Sequence, residues 1–157
     1  MSAARILVLM VSLMAASAAA EQAATEIVIH SARGTFGDVK ERVLMAIENR
    51  GMVLNNTAHV GDMLERTGKD LGRKRPVYSH AEVLEFCNAV LSRDTMEADP
   101  HNIVFCPYTI AIYALPNEPG KVYLSYRKPL ASGSGQSVKA LAAVGKLLEA
   151  IVGEALN

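Results

Sequence analysis

Residues 103–115 read IVFCPYTIAIYAL, and this stretch decides how the rest of the chain is arranged. It is dense in β-branched and aromatic residues and apolar at consecutive positions, so both of its faces are expected to be buried, as in a central strand. Pro107 interrupts it. A proline donates nothing to a sheet ladder, which predicts a bulge or an unpaired position beside Cys106. The sequence PNEPG at 116–120 is a turn, and KVYLSYR at 121–127 returns from it as the second strand of a hairpin. A Gly/Ser linker at 132–135 then leads into a last helix, whose Leu141, Val144, Leu148, Ile151 and Ala155 form one apolar stripe.

Upstream, residues 25–30 alternate around Ile27 and Ile29 as a strand does. Thr35 and Asp38 have the spacing of a capping box, and they start a helix that runs to about Arg50. Its Val39, Val43, Ala46 and Ile47 share one face, and Gly51 suits the position just past a helix end. Residues 52–60 follow as a second strand and 61–72 as a short helix or turn. Residues 82–87 read as a third strand, and 90–98 as a short helix ended by Asp99-Pro100. The order β-α-β-β-β-β-α predicts an α+β fold, an antiparallel sheet with helices packed on one face. One domain is expected, with its core at 21–131 and the linker and amphipathic helix at 132–157.

The first 20 residues read differently. A short basic start ending in Arg5, an apolar run at 6–14 broken only by Ser12, and Ala18-Ala19-Ala20 spell a cleavable export signal, with cleavage after Ala20. That run is too short for a membrane span, and no later run reaches the length a span requires. The expectation is a mature chain that works in the periplasm or outside the cell and has no transmembrane segment. The full chain carries 16 Lys/Arg and 16 Asp/Glu. Losing Arg5 with the signal leaves a slight acidic excess, the wrong balance for a nucleic-acid partner. The one basic cluster, Lys69, Arg73, Lys74 and Arg75 around Asp70, reads as a solvated loop.

Four short segments carry a resemblance: Glu85-Phe86-Cys87-Asn88-Ala89, MEADP at 96–100, Phe105-Cys106-Pro107-Tyr108 and Gly120-Lys121-Val122-Tyr123. Together the chain resembles the core of domain-of-unknown-function family 302. Met63-Leu64-Glu65-Arg66-Thr67-Gly68 and the helix begun by Phe36 sit where that family places them, so the resemblance covers about residues 25–130. Ala89 stands where a proline often follows Cys-Asn, and Phe105 where Leu-Pro is usual before the second cysteine, which suggests an exported subgroup. The resemblance implies a small β-α-β(4)-α domain, often dimeric, with no agreed enzymatic activity.

Chemistry rests on Cys87 and Cys106, the two cysteines of the chain. They lie near facing ends of two strands expected to pair. In an oxidising compartment a structural disulfide is the default, worth around 3 kcal/mol for a loop of this length. Two other readings stay open: a noncovalent haem or a metal ion held by one or both sulfurs, and thiol–disulfide redox chemistry. Redox ranks lower because neither a Cys-x-x-Cys pair nor a helix N-terminus is expected at either sulfur. The lack of Cys-x-x-Cys-His excludes covalent c-type haem.

Among His30, His59, His80 and His101, the last is the first choice as a ligand, five residues before Cys106; His80 and His59 are weaker. Phe105, Tyr108, Tyr123 and Tyr126, with Tyr113, are candidates to line an apolar pocket between sheet and helices. Asn55-Asn56-Thr57 as a glycosylation acceptor and Gly133-Ser134-Gly135 as a phosphate loop both lack the context their chemistry needs. No serine-nucleophile or paired-carboxylate motif and no repeat is found. The function expected is a noncatalytic exported module that binds a small ligand, haem or metal. The alternatives are a thiol redox protein using Cys87 and Cys106, or a structural homodimer built through uncovered sheet edges.

Overall fold

The computed structural model describes residues 26–130 and 133–157, so residues 1–25, where the expected export signal falls, and residues 131 and 132 lie outside the described residues. The chain runs β1 (Glu26–Arg33), α1 (Phe36–Glu48), β2 (Leu54–Ala58), α2 (Val60–Asp70), β3 (His80–Phe86) and α3 (Ala89–Ala98). A 3-10 turn (Pro100–Phe105), β4 (Tyr108–Ala114), β5 (Lys121–Lys128) and α4 (Gly135–Ala155) complete it. All strand pairs are antiparallel, and the sheet order β1-β5-β4-β3-β2 puts β4 in the middle. This is the α+β architecture that the residue pattern predicts.

α1 starts where the Thr35 hydroxyl accepts from the Asp38 N–H at 3.2 Å and the Asp38 carboxylate accepts from the Thr35 N–H at 3.4 Å. A cap of this kind contributes about 1 kcal/mol. The buried stripe Val39, Val43, Ala46 and Ile47 of α1 and Val144, Leu148, Ile151 and Ala155 of the α4 stripe share one core, and Leu141 of the same stripe is buried as well. Beneath them lie alternate residues of the sheet: Leu84 and Phe86, Ile110 and Ile112, Val122 and Leu124. Each such side chain stabilises the fold by about 1.5–3 kcal/mol when fully buried, so this layer is what holds the sheet and the two long helices together. At the far end Arg50 Nη1 donates to Glu154 Oε2 at 2.5 Å and Asn49 Nδ2 donates to Glu154 Oε1 at 2.8 Å, tying α1 to α4.

Residues 103–115 are not one strand. Asp99 Oδ1 accepts from the His101 N–H at 2.9 Å, and Pro100, whose fixed φ suits a first helical turn, follows that cap. A 3-10 turn therefore occupies 100–105 and β4 begins only at Tyr108. Buried Asn102 secures the turn, its amide donating to Thr95 O at 2.9 Å and Ser137 Oγ at 3.0 Å. Ile103 and Val104 are left 62% and 77% exposed, since β-branched composition reports a side chain's apolarity and not its burial. Pro107 makes no bulge but stands unpaired beside Cys106, just before β4 begins: the last rung is Phe86 opposite Tyr108, and the register shift falls instead in β2, between Leu54 and Asn56. β3 starts two residues earlier than expected, at His80, and β2 is shorter, Leu54–Ala58.

Candidate functional site

Two places gather polar chemistry, and they lie at opposite ends of β3. At its start, β2 has already stopped at Ala58 opposite Val83, so His80, Ala81 and Glu82 have no strand on that side. α2 takes its place. It can approach so closely because its second residue is Gly61: a Cβ there would lie 2.9 Å from the Ala81 backbone nitrogen. Between α2, residues 71–79 and the start of β3 lies a groove of about 790 Å³, within the roughly 300–1,000 Å³ typical of small-molecule sites.

The groove has an apolar wall and a charged rim. Phe36, the first residue of α1, stacks on His80 with ring centroids 5.1 Å apart, and Leu64 and Tyr78 add further apolar surface. Lys69, Arg73, Lys74 and Arg75 line it as well, so the basic cluster read as a solvated loop is exposed but borders a cavity. Glu82 sits in the lining with a side chain only 15% exposed. Lys40 Nζ of α1 lies 2.6 Å from its Oε2, and His59 Nδ1, at the N-cap of α2, lies 3.4 Å from its Oε1. One carboxylate of β3 thus lies within ion-pair distance of side chains from both helix starts. The lysine's approach to buried Oε2 lies off the hydrogen-bond direction, and that oxygen has no directed donor.

At the other end of β3, Cys87 and Cys106 meet just beyond the last rung of the β3–β4 ladder. Their sulfurs are 3.3 Å apart and both thiols are free. The disulfide expected from sequence is therefore not closed, because a bond needs the sulfurs at about 2.05 Å. Asn55 Nδ2, carried on the irregular stretch of β2, donates to Cys87 Sγ at 3.4 Å. Ser92 Oγ lies 3.7 Å from Cys106 Sγ and 3.3 Å from the Tyr108 hydroxyl. Cys87 also immediately precedes Asn88, the N-cap of α3, whose side chain accepts from the Leu91 N–H at 2.9 Å. The expectation that neither cysteine borders a helix start is corrected by this. Burial first, then the hydrogen bond and charge of Cys106, push the Cys87 thiol up against the opposing donors of Asn55 and the Tyr108 backbone. Burial likewise pushes the Tyr108 phenol up.

The remaining sequence candidates separate. His101 is exposed on the 3-10 turn rather than at the mouth of a strand, while His59 and His80 come together at the groove. Among the described residues, no three His, Cys, Asp or Glu side chains converge as a metal ion would need. The aromatic candidates line no common pocket, because strand parity divides them. Tyr108 and Tyr126 point inward into the core. Tyr113 and Tyr123 stack on the other face with centroids 5.1 Å apart, and Phe105 sits half-buried in the 3-10 turn. The space between sheet and long helices is filled by side chains, and the groove lies at the sheet's α2 edge instead. Phe36, Tyr78 and Glu82, and at the thiols Asn55 and Ser92, escape the sequence reading. Only Glu82 leaves a trace there, as a charge in phase with inward Leu84 and Phe86.

A five-stranded antiparallel sheet with two long helices packed on one face defines the class of domain. The sequence profile of Domain of unknown function DUF302 matches residues 27–155, and the chain belongs to that family. The match runs past the cysteine segments and through α4. No functionally curated protein matches the chain. Among solved structures, it is similar to the crystal structure of an uncharacterized conserved DUF302 protein from Bacillus stearothermophilus. The two share 16% identity with a TM-score of 0.67, over 82% of this chain and 96% of that one. At that identity the likeness concerns the fold. Among the described residues, no helix is long and apolar enough to cross a membrane.

Proposed function

We propose that this protein is a noncatalytic binding module whose ligand, a small molecule with an apolar body and an anionic group, sits in the α2 groove. The observation that carries this reading is the groove itself, about 790 Å³ with the Phe36–His80 stack and Tyr78 inside and Arg73, Lys74 and Arg75 alongside. Rings offer a flat apolar surface, and guanidinium groups are suited to planar anions. The test uses anilinonaphthalene sulfonate, an apolar anion that fluoresces on leaving water. The native protein is expected to bind it saturably. Each exposed charge contributes up to about 1 kcal/mol, so the double variant Arg73→Glu, Arg75→Glu should weaken binding by roughly tenfold at low salt. Equal binding by both proteins would count against the groove.

The leader-like residues 1–20 support work outside the cytoplasm, and the outward face of the sheet supports pairing with a second copy. That face presents Ile27 and Ile29 at 66% and 55% exposure, beside the Tyr113–Tyr123 stack. Exposed apolar residues grouped on one face are material for a two-fold contact. Native mass spectrometry of the exported protein reads both points: a chain beginning at Glu21 and a dimer are expected, and an uncleaved or strictly monomeric species would remove the corresponding part.

A further inference from the structure

We propose that Cys87 and Cys106 form a reversible dithiol–disulfide site that exchanges with small organic disulfides. The sulfurs already touch at 3.3 Å, and Cys87 directly follows the rung Phe86–Tyr108 that joins the two strand ends, so closing the bond asks the sulfurs to approach by little more than about 1 Å, toward about 2.05 Å. Both side chains are half-buried, so a small reagent can reach them while bulk solvent is partly excluded. No third His, Cys, Asp or Glu joins them among the described residues, which leaves each sulfur the other as its partner. The site is also furnished. The irregular stretch of β2 aims the Asn55 amide at Cys87, as bulges often re-aim side chains, and Ser92 sets a hydroxyl beside Cys106.

Exchange proceeds by attack of a thiolate on a disulfide sulfur. The steps are the same from either sulfur; take Cys106, beside the Ser92 hydroxyl, as the first to act. Its thiolate attacks one sulfur of the small disulfide, a Cys106–S bond forms, the S–S bond of the reagent breaks, and one small thiolate leaves and takes up a proton. Cys87 then gives its proton to water and attacks Cys106 Sγ. The mixed disulfide breaks and the second small thiolate leaves and is protonated. Two protein thiols lose two electrons and two protons, and the reagent gains both as two thiols. In reverse, excess small thiol reopens the bond.

The test takes the full chain, reduced and freed of reductant, and equilibrates it with mixtures of oxidised and reduced glutathione before acid quench, alkylation and mass spectrometry. Two states are expected: the dialkylated dithiol, and an unalkylated chain lighter than the reduced one by two hydrogen atoms, interconverting in one two-electron step and returning fully with excess thiol. A Cys87→Ser variant should stop at a glutathione adduct on Cys106. Two independent adducts on the native chain without the internal bond would overturn the proposal. So would thiols that react only after urea is added. Because these outcomes are read on the native chain, the proposal stays testable even if the variant fails to fold.

Discussion

The two ends of β3 are built from one alternating strand and come out opposite in character. Its inward residues are His80, Glu82, Leu84 and Phe86; the first is exposed, the second half-buried, and the last two completely buried. Period-two alternation decides which side chains point toward the helices, but not how deeply they are covered. Leu84 and Phe86 lie in the common core, where Phe86 meets Tyr108 edge-on with centroids 6.2 Å apart. His80 and Glu82 meet the first turns of α1, through Phe36 and Lys40, and Glu82 the N-cap of α2. A strand end that the helices do not fully cover is where an open groove with a charged carboxylate can exist. The other end can hold two sulfurs against each other because packing fixes the chain on both sides.

The largest effect should separate the two ends by stability. Phe86→Ala removes a fully buried ring and is expected to cost about 3–5 kcal/mol, whereas His80→Ala, on the same face, should change stability by no more than about 0.5 kcal/mol. Urea unfolding of the two variants measures both, and a His80 cost near that of Phe86 would erase the contrast. A smaller effect sharpens it. Gly61→Ala would put a methyl 2.9 Å from rigid backbone at Ala81, pushing α2 off the strand; about 1–3 kcal/mol is expected. Gly153→Ala in α4 meets nothing within 4 Å and should be neutral or gain up to about 1 kcal/mol. Thermal unfolding of the pair decides whether close approach, rather than loss of glycine as such, is what α2 requires.

Local chemistry made much of the fold legible. The Thr35–Asp38 box, the α1 stripe and the α4 stripe are statements about neighbours three to eight residues apart, and each appears where the residues put it. The hairpin and the pairing that brings Cys87 to Cys106 are nearly as local. Residues 103–105 misled, because Ile-Val-Phe looks like a strand unless the cap at Asp99 and the proline after it are given precedence. The tyrosines misled in another way: alternation puts Tyr108 and Tyr126 on one face and Tyr113 and Tyr123 on the other, so they cannot line one pocket. The groove was the least readable part. It needs Phe36 and Lys40 from α1, His59 from the start of α2 and Glu82 from β3, and no local pattern announces that helix starts distant in sequence converge on one carboxylate. Nor could spacing show Asn55 turned onto a cysteine 32 residues later.

The measurement closest to the central claim is where a small apolar anion touches the protein. Backbone amide shifts recorded during a titration with anilinonaphthalene sulfonate should move together and saturate at Phe36, Leu64, Arg73, Tyr78 and His80, with Cys87 and the outward-facing Tyr123 unmoved. Shifts centred on the outward face of the sheet, spread through the core, or absent at saturating probe would contradict the assignment of the α2 groove as the binding site.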